Sequence, residues 1–562
     1  MSFIVQIAEN QIKTIIKEAL KSAVKSEKLK PCETADIKTE VPADPKNGDY
    51  STNAAFTLAS SQKKSPRIIA NILSEYISLE NTYFSKVEVA AAGFINFFLN
   101  KNYYTDILLD ASNKGEKYGS SDYGSGKKVL VEFVSANPTG PMHVGNARGG
   151  ALGDCLASVL EMAGYTAERE FYINDAGNQI EKFALSLDIR YRQICGEDIL
   201  LPEDAYHGAD ITAHAKTFFE LHADFYMSKS ENERKKALTD FALPINIAEM
   251  ENNLTKYRIK YDNWFKESSL HENGEVARVI ELLKESGYTY IKDDALWFKA
   301  AELGCDKDFV LVRSNGIPTY IVPDIAYHYN KLSVRGFDTA IDILGADHHG
   351  YVPRLKAALS ALGIDSARLD VILMQMVRLV QGGETIKASK RSGNAITLLT
   401  LLDEVPIDAA RFFFIYREAN THLDFDLDLA VEKSSENPVY YCQYAHARIC
   451  SIFSKLNDEG VQFETPNKEV LSLLTSDEEK ALITHIASLT QEVIGAAKNY
   501  DPSRITRYAV ELATRFHKFY NAHRVIGEDS DTTNARLFLC GCVKTVMKTV
   551  LTMLKIDAPC QM

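Results

Sequence analysis

Residues 129–163 read VLVEFVSANPTGPMHVGNARGGALGDCLASVLEMA, and this order of residues restricts the fold more than any other part of the chain. The apolar run 129–134 predicts a buried strand. A loop rich in Pro, Gly and Asn follows, then His143 and Gly145, then a long helix of small and apolar residues ending near Gly164. Residues 166–172 predict the next strand. In such a strand–loop–helix–strand unit the helix N-terminus carries unpaired N–H groups and a positive dipole end, a favourable place for an anion. The stretch is read as a nucleotide phosphate site.

Around it the chain divides. With 562 residues it is too long for one core. Residues 1–111 predict an α+β module, opening with an amphipathic helix that carries Ile12, Ile15, Ile16, Ala19, Leu20 and Ala23. Paired strands are predicted at 87–90 and 94–99. Residues 112–127 read as a linker. Gly124, Gly126 and Lys127 make no P-loop, since Ser121 stands where a glycine is needed and no Ser or Thr follows the lysine. From 128 to 397 strands and helices alternate, which predicts a doubly wound parallel sheet. A polar, mostly helical insertion at about 195–286 interrupts it. Strand-like runs at 309–313, 319–322, 339–344 and 369–374 and helices at 324–332 and 351–362 resume it. Residues 398–562 have helical period and predict an all-α bundle.

The net charge of −13 argues against a nucleic-acid partner, but a basic face can sit on an acidic body. No apolar run has the ~20 residues of a membrane helix, and residues 1–30 lack the apolar core of a signal peptide, so a cytoplasmic protein is expected. The nine cysteines contain no CxxC pair and read as free thiols. Asp347, His348 and His349 are adjacent and seldom could aim at one ion, so no metal site is expected there.

Two motifs carry chemistry. His143-Val144-Gly145-Asn146 could give phosphates hydrogen bonds from His143 and Asn146, with Gly145 allowing close backbone approach; alone, it is also what a loop histidine beside a turn looks like. Lys387-Ala388-Ser389-Lys390-Arg391, flanked by glycines, could follow phosphate charge into a transition state; alone, it is equally a solvated basic loop.

Together the motifs resemble the HIGH and KMSKS signatures of class I aminoacyl-tRNA synthetases. More narrowly, the chain resembles the arginyl-tRNA synthetases, through VEFVSANPTGPMHVGN, REFYINDAGNQIEKF, NWFKESSL, LVRSNGIPTYIVPDIAYH, LGADHHGYVPR, IKASKRSGN and VYYCQYAHARI, in that family's order. The resemblance implies a Rossmann-like catalytic domain, an additional tRNA-contacting amino-terminal domain and a helical anticodon-binding domain. It implies ATP with Mg²⁺ as substrate, L-arginine and tRNA(Arg) as partners, no tightly bound cofactor, and a monomer. It also assigns roles: His143, Asn146, Lys387 and Lys390 in catalysis; these with Gly145, His348 and Ser389 around ATP; Glu132, Ser135, Asn137, Tyr320, Asp324 and His348 around arginine. Tyr440, Tyr441, Tyr444, His446 and Arg448 are expected at the tRNA, where aromatics can stack on bases, although Tyr440 and Tyr444 at i and i+4 could equally face a core. Arg504, Arg507, Arg515, Lys518 and Arg524 are expected to add positive charge. One departure stands out: the family's signature ends in a second His, here Asn146. An amide can donate a hydrogen bond but carries no charge. A tRNA-holding protein inactivated at Asn146, or a small-molecule nucleotidyltransferase, remain the alternatives.

Overall fold

The computed structural model describes residues 3–32, 37–386, 396–459, 465–527 and 529–562. At its centre is a five-stranded sheet, with β1 Lys128–Glu132, β2 Thr166–Ile173, β3 Asn263–Lys266, β4 Thr339–Gly345 and β5 Leu369–Met374. The order is β5-β4-β1-β2-β3 and every pairing is parallel. Strand order reverses between β1 and β4. In open sheets of this kind ligands bind outside the carboxyl ends of the strands at that switch point.

Helix α1, Val144–Met162, connects β1 to β2, and 15 of its 19 residues are buried, so it is a core element with no solvent face. Its glycines explain how it fits. A Cβ on Gly153 would lie 2.2 Å from Cγ of Phe133, which follows β1. Only a residue without a side chain lets the helix lie this close to the sheet. Inside the helix, Asp154 accepts from Arg169 Nε at 2.9 Å and from Arg411 at 2.6 Å. Arg411 is fully buried and also donates to the carbonyls of Tyr257 and Leu554. One carboxylate thereby ties β2, the insertion and the carboxy-terminal helices to α1.

The amino-terminal module opens with the expected helix, Phe3–Lys25, and pairs Phe84–Val89 with Ile95–Leu99 antiparallel. Helices Ala209–His222 and Glu231–Lys256 of the insertion share a separate core around Phe183, Tyr191 and Phe218. Among the described residues no helix is long and apolar enough to cross a membrane.

Five local expectations change. Residues 319–322 are not a strand: helix α2, Ile321–Tyr329, starts there. Phe309–Val312 is a strand, but of a separate antiparallel sheet with Ala295–Phe298 and Thr289–Lys292. Within the stretch read as a helical insertion, Asn263–Lys266 returns to the main sheet as its edge strand β3. In the carboxy-terminal region Leu423–Asp426 pairs parallel with Val377–Gln381, because alternation buries Leu423 and Phe425 and turns Asp424 out. Residues 112–127, read as a linker, are docked: Tyr118 is buried, and the amides of Ser121, Gly124 and Gly126 bond the carbonyls of Met162, Ala163 and Gly164.

Candidate active site

The carboxyl ends of four strands converge on one pocket. Glu132 ends β1 and Tyr172 stands near the end of β2. Glu267 directly follows β3, and Gly345 leads from β4 into the turn Ala346–His348. Asp324 enters from the first turn of α2. At the exit of β1 the backbone is strained: Val134 has φ 69 and Ser135 φ 38, conformations a β-branched residue rarely adopts. This turn points Ser135 Oγ at Glu132, to which it donates at 2.8 Å while accepting from the Tyr172 amide at 3.1 Å.

The pocket floor is an ion-pair network. Lys331, fully buried, donates to Glu132 Oε2 at 2.5 Å and to Asp342 Oδ1 at 2.8 Å, and lies 4.1 Å from the ring centre of Tyr327. His328 Nε2 is 2.6 Å from the other oxygen of Asp342. Burial alone would raise Asp342, but Lys331 and His328 outweigh it and hold it well below the usual carboxylate range. Burial would lower Lys331, but Asp342 and Glu132 keep it charged. Glu132, sharing one ammonium with a second acid, is raised by burial. Glu132, His328 and Asp342 stand close enough together to ligate a metal, and the Lys331 ammonium lies against both carboxylates.

Above this floor the charge does not balance. Among the described residues neither Asp324 nor Glu267 pairs with a lysine or arginine; Glu267 has only His271, 3.8 Å away. Burial raises Asp324, whose carboxylate accepts from the hydroxyl of Tyr351. Burial, then the nearby charge of Asp324, pushes Glu267 up from 4.5 to about 7. The Tyr172 hydroxyl is buried beside them and faces the Glu267 carboxylate. The half-buried Asp324, the buried Glu267 and the Tyr172 hydroxyl make a site that favours a cation with several N–H donors. Tyr351 stacks on Tyr320 at 6.0 Å and meets His348 edge-on at 6.5 Å, forming one wall. Tyr320, His348 and Asn137 are exposed to the opening.

The head of α1 is capped by its own residues. His143 Nδ1 accepts from the Gly145 amide at 3.1 Å, which assigns the ring proton to Nε2 and makes that nitrogen a donor. Asn146 Oδ1 accepts from the His143 amide at 3.0 Å, leaving the NH₂ as the donor end. The Val144 amide bonds the carbonyl of Ile396 at 3.3 Å, and Leu398 bonds Met142 at 2.9 Å. The first N–H groups of the helix are therefore taken, contrary to the expectation of an open helix terminus, so a phosphate here meets side-chain donors. Gly145 is required because a Cβ would lie 2.9 Å from His143 Cε1. Lys387, Ser389 and Lys390 lie outside the described residues; the described residues flanking them, Ile386 and Ile396, are fixed by bonds to Leu379 and to the head of α1.

A second candidate surface lies on helix α3, Pro438–Asp458, and helix α4, Ser503–Ala522. The rings of Tyr440 and Tyr444 are 6.4 Å apart and within 7° of parallel. Tyr444 continues onto His517 at 5.8 Å, and Arg448 lies 4.6 Å over Tyr444 and 4.9 Å over Tyr520. Tyr440, Tyr441, Tyr444, Arg448 and His517 line a cavity of about 620 Å³. Burial, then Arg448, lowers His517 to about 4, so its ring is a neutral stacking face at physiological pH.

A family model described as "tRNA synthetases class I (R), catalytic domain" matches residues 107–454. "Arginyl tRNA synthetase N terminal domain" matches 10–99 and "DALR anticodon binding domain" matches 442–562. A protein of Caldanaerobacter subterraneus named arginine–tRNA ligase is 52% identical over 559 residues, covering 100% of both chains. One of Acetivibrio thermocellus with the same name is 49% identical over 561 residues, again with 100% coverage of each. The chain belongs to the arginyl-tRNA synthetase family. The Thermus thermophilus arginyl-tRNA synthetase structure, 21% identical, covers 99% of this chain and 100% of its own with a TM-score of 0.73, which shows the shared fold.

Set against the arginyl-tRNA synthetase motifs, the structure brings together Glu132, Ser135, Tyr320, Asp324 and His348, and separately His143, Gly145 and Asn146. It adds Glu267, Tyr172 and Tyr351. All three stand inside motifs of the sequence, Tyr172 in REFYINDAGNQIEKF, Glu267 in NWFKESSL and Tyr351 in LGADHHGYVPR, but nothing there distinguished Glu267 from a helix-opening acid or the tyrosines from core aromatics. His446 is a correction. It is 2% exposed and its Nδ1 is 2.9 Å from the Pro559 carbonyl, so it cannot reach RNA. The reason is helical phase: Tyr440, Tyr444 and Arg448 share one face, while His446 points to the other. Arg504, Arg507 and Arg515 do not form a free basic patch either, being paired with Glu492, Asp501 and Glu511.

Proposed function

We propose that this chain is an arginine–tRNA ligase that joins L-arginine to tRNA(Arg) through arginyl-adenylate. The observation that carries this reading is the pair Asp324 and Glu267 at the switch point of a class I sheet, neither paired with a lysine or arginine among the described residues and both pushed upward in pKa. A guanidinium supplies the missing positive charge and a planar fork of donors for two carboxylates. The other end of the amino acid then lies toward Glu132, Ser135 and Asn137, near the head of α1.

With arginine so held, its carboxylate oxygen attacks the α-phosphorus of ATP, supplied with Mg²⁺. The bond from that phosphorus to the bridging oxygen breaks, and pyrophosphate leaves. His143, through Nε2–H, and Asn146, through its NH₂, donate to phosphate oxygens; Lys387 and Lys390, with Ser389, add charge and hydrogen bonds. The 2′-hydroxyl of the terminal adenosine of tRNA next attacks the activated carbonyl carbon. Its proton leaves and AMP departs. No protein nucleophile is used; orientation and preorganised charge do the work. Tyr440, Tyr441, Tyr444 and Arg448 offer stacking faces and a guanidinium to splayed anticodon bases. The protein acts as a monomer in the cytoplasm. Incubation with radiolabelled arginine, ATP and tRNA tests the reading: charged tRNA supports it, and tRNA that binds but stays uncharged overturns it.

A further inference from the structure

On the face of α3 opposite the tyrosines, residues 556–562 run along the helix without forming a helix or strand of their own. Three contacts follow in register. Gln443 Nε2 donates to the Asp557 carbonyl at 2.9 Å, His446 Nδ1 meets the Pro559 carbonyl at 2.9 Å, and Cys450 Sγ lies 2.9 Å from Cys560 Sγ. Cys450 is buried and Cys560 exposed. Both line a cavity of about 460 Å³ that also touches Lys544 and Asp458.

We propose that Cys450 and Cys560 are a redox-active thiol pair that closes to a disulfide and fixes residues 556–562 to α3. The two sulfurs are already in contact, and closing needs a movement of less than ~1 Å to the length of a disulfide bond. Since residues 556–562 have no regular structure, Cys560 can make that movement without breaking a helix or strand. The exposed thiol acts first. The thiolate of Cys560 attacks a low-molecular-weight disulfide such as oxidised glutathione, forming a mixed disulfide and releasing one glutathione thiolate. Cys450 then gives up its proton and attacks Cys560 Sγ, releasing the second glutathione. Two protein thiols are oxidised, one glutathione disulfide is reduced to two thiols, and the two protons pass to the departing thiolates. Burial holds the Cys450 thiol up at about 11, with Lys544 opposing, so it serves as the resolving partner, favoured by proximity over nucleophilicity. The His446, Cys450 and Cys560 cluster could also suggest a metal, but His446 Nδ1, the nitrogen 3.8 Å from Cys450, is committed to the Pro559 carbonyl.

The test uses the full-length chain. After treatment with excess oxidised glutathione and alkylation, tryptic mass spectrometry is expected to show the Cys450 and Cys560 peptides linked, at the sum of their unalkylated masses less two hydrogens, and the link reversed by dithiothreitol. In Cys450→Ser, Cys560 is expected to keep glutathione. In Cys560→Ser no linked peptide is expected. A wild-type chain that keeps glutathione on Cys560 without the link overturns the proposal. So does a link to another cysteine. Zinc(II) that co-purifies stoichiometrically with the reduced chain and is lost in Cys560→Ser would show a metal site instead, and also overturns it.

Discussion

Replacing Asp324 by asparagine separates binding from folding with opposite signs. The side chain keeps its shape and an oxygen for the Tyr351 hydroxyl, but the charge disappears. With arginine bound, the guanidinium loses one of two buried counter-ions. Stripping one partner from a buried, hydrogen-bonded charge pair costs about 3–5 kcal/mol. At about 1.4 kcal/mol per tenfold, kcat/KM for arginine should fall by roughly two to four orders of magnitude. Without ligand the sign reverses. Burial raises Asp324 more than the Tyr351 hydroxyl, His328 and Lys331 lower it, so the ionised form costs stability at neutral pH and the amide removes that cost. The melting temperature of Asp324→Asn should therefore equal or exceed that of the wild type. Steady-state aminoacylation with varied arginine, paired with calorimetric melting of the free protein, measures both. A variant that loses stability while keeping its kcat/KM for arginine would refute the assignment of Asp324 to the guanidinium.

Glu267 titrates near 7 in the free protein, so arginine must displace its proton: KM for arginine should rise as pH falls below about 7, and the same raised acid should make the free protein lose stability as pH climbs from 4.5 toward 7. A KM flat from pH 8 to 5.5, measured at saturating ATP and tRNA, would contradict this. Asn146→Asp keeps the oxygen that caps the His143 amide and adds favourable charge at a helix start, so melting should hold or rise; kcat should fall about 10²–10³-fold because a phosphate donor becomes an anion. Gly153→Ala should cost about 1–3 kcal/mol in denaturant titrations because its Cβ meets the core ring of Phe133, whereas Gly150→Ala meets the movable tip of Ile259 and should cost less. Arg411→Met leaves Asp154 with Arg169 alone and takes a donor from the carbonyls of Tyr257 and Leu554, and should cost about 3–5 kcal/mol, read as a lower unfolding midpoint.

The sequence signal was strongest where structure is local. The strand, loop and helix around His143 follow from apolar runs and glycine placement, and β4 and β5 from short apolar segments between helices. It was weaker where the decisive contact is long-range. Glu267 and Asp324 are brought together only because residues 263–266 join the sheet edge, and a four-residue strand inside a polar region has too little periodicity to show. Lys331 looks like an ordinary surface residue in sequence, yet it is fully buried and neutralises the floor. For α3 the reverse holds: helical phase alone separates Tyr440, Tyr444 and Arg448 from His446, and grouping them by proximity in sequence hid it. His517 and Tyr520 complete the tyrosine surface from α4, a distant segment that no local pattern connects to α3.

The most direct test of the whole account is aminoacylation itself, with purified protein, radiolabelled arginine, ATP with Mg²⁺ and total tRNA. Acid-precipitable arginine on tRNA, dependent on ATP and abolished in Lys390→Ala, is the expected result. Tight tRNA binding with no charging at any arginine concentration would contradict it, and would place Asn146 as the substitution that ended catalysis.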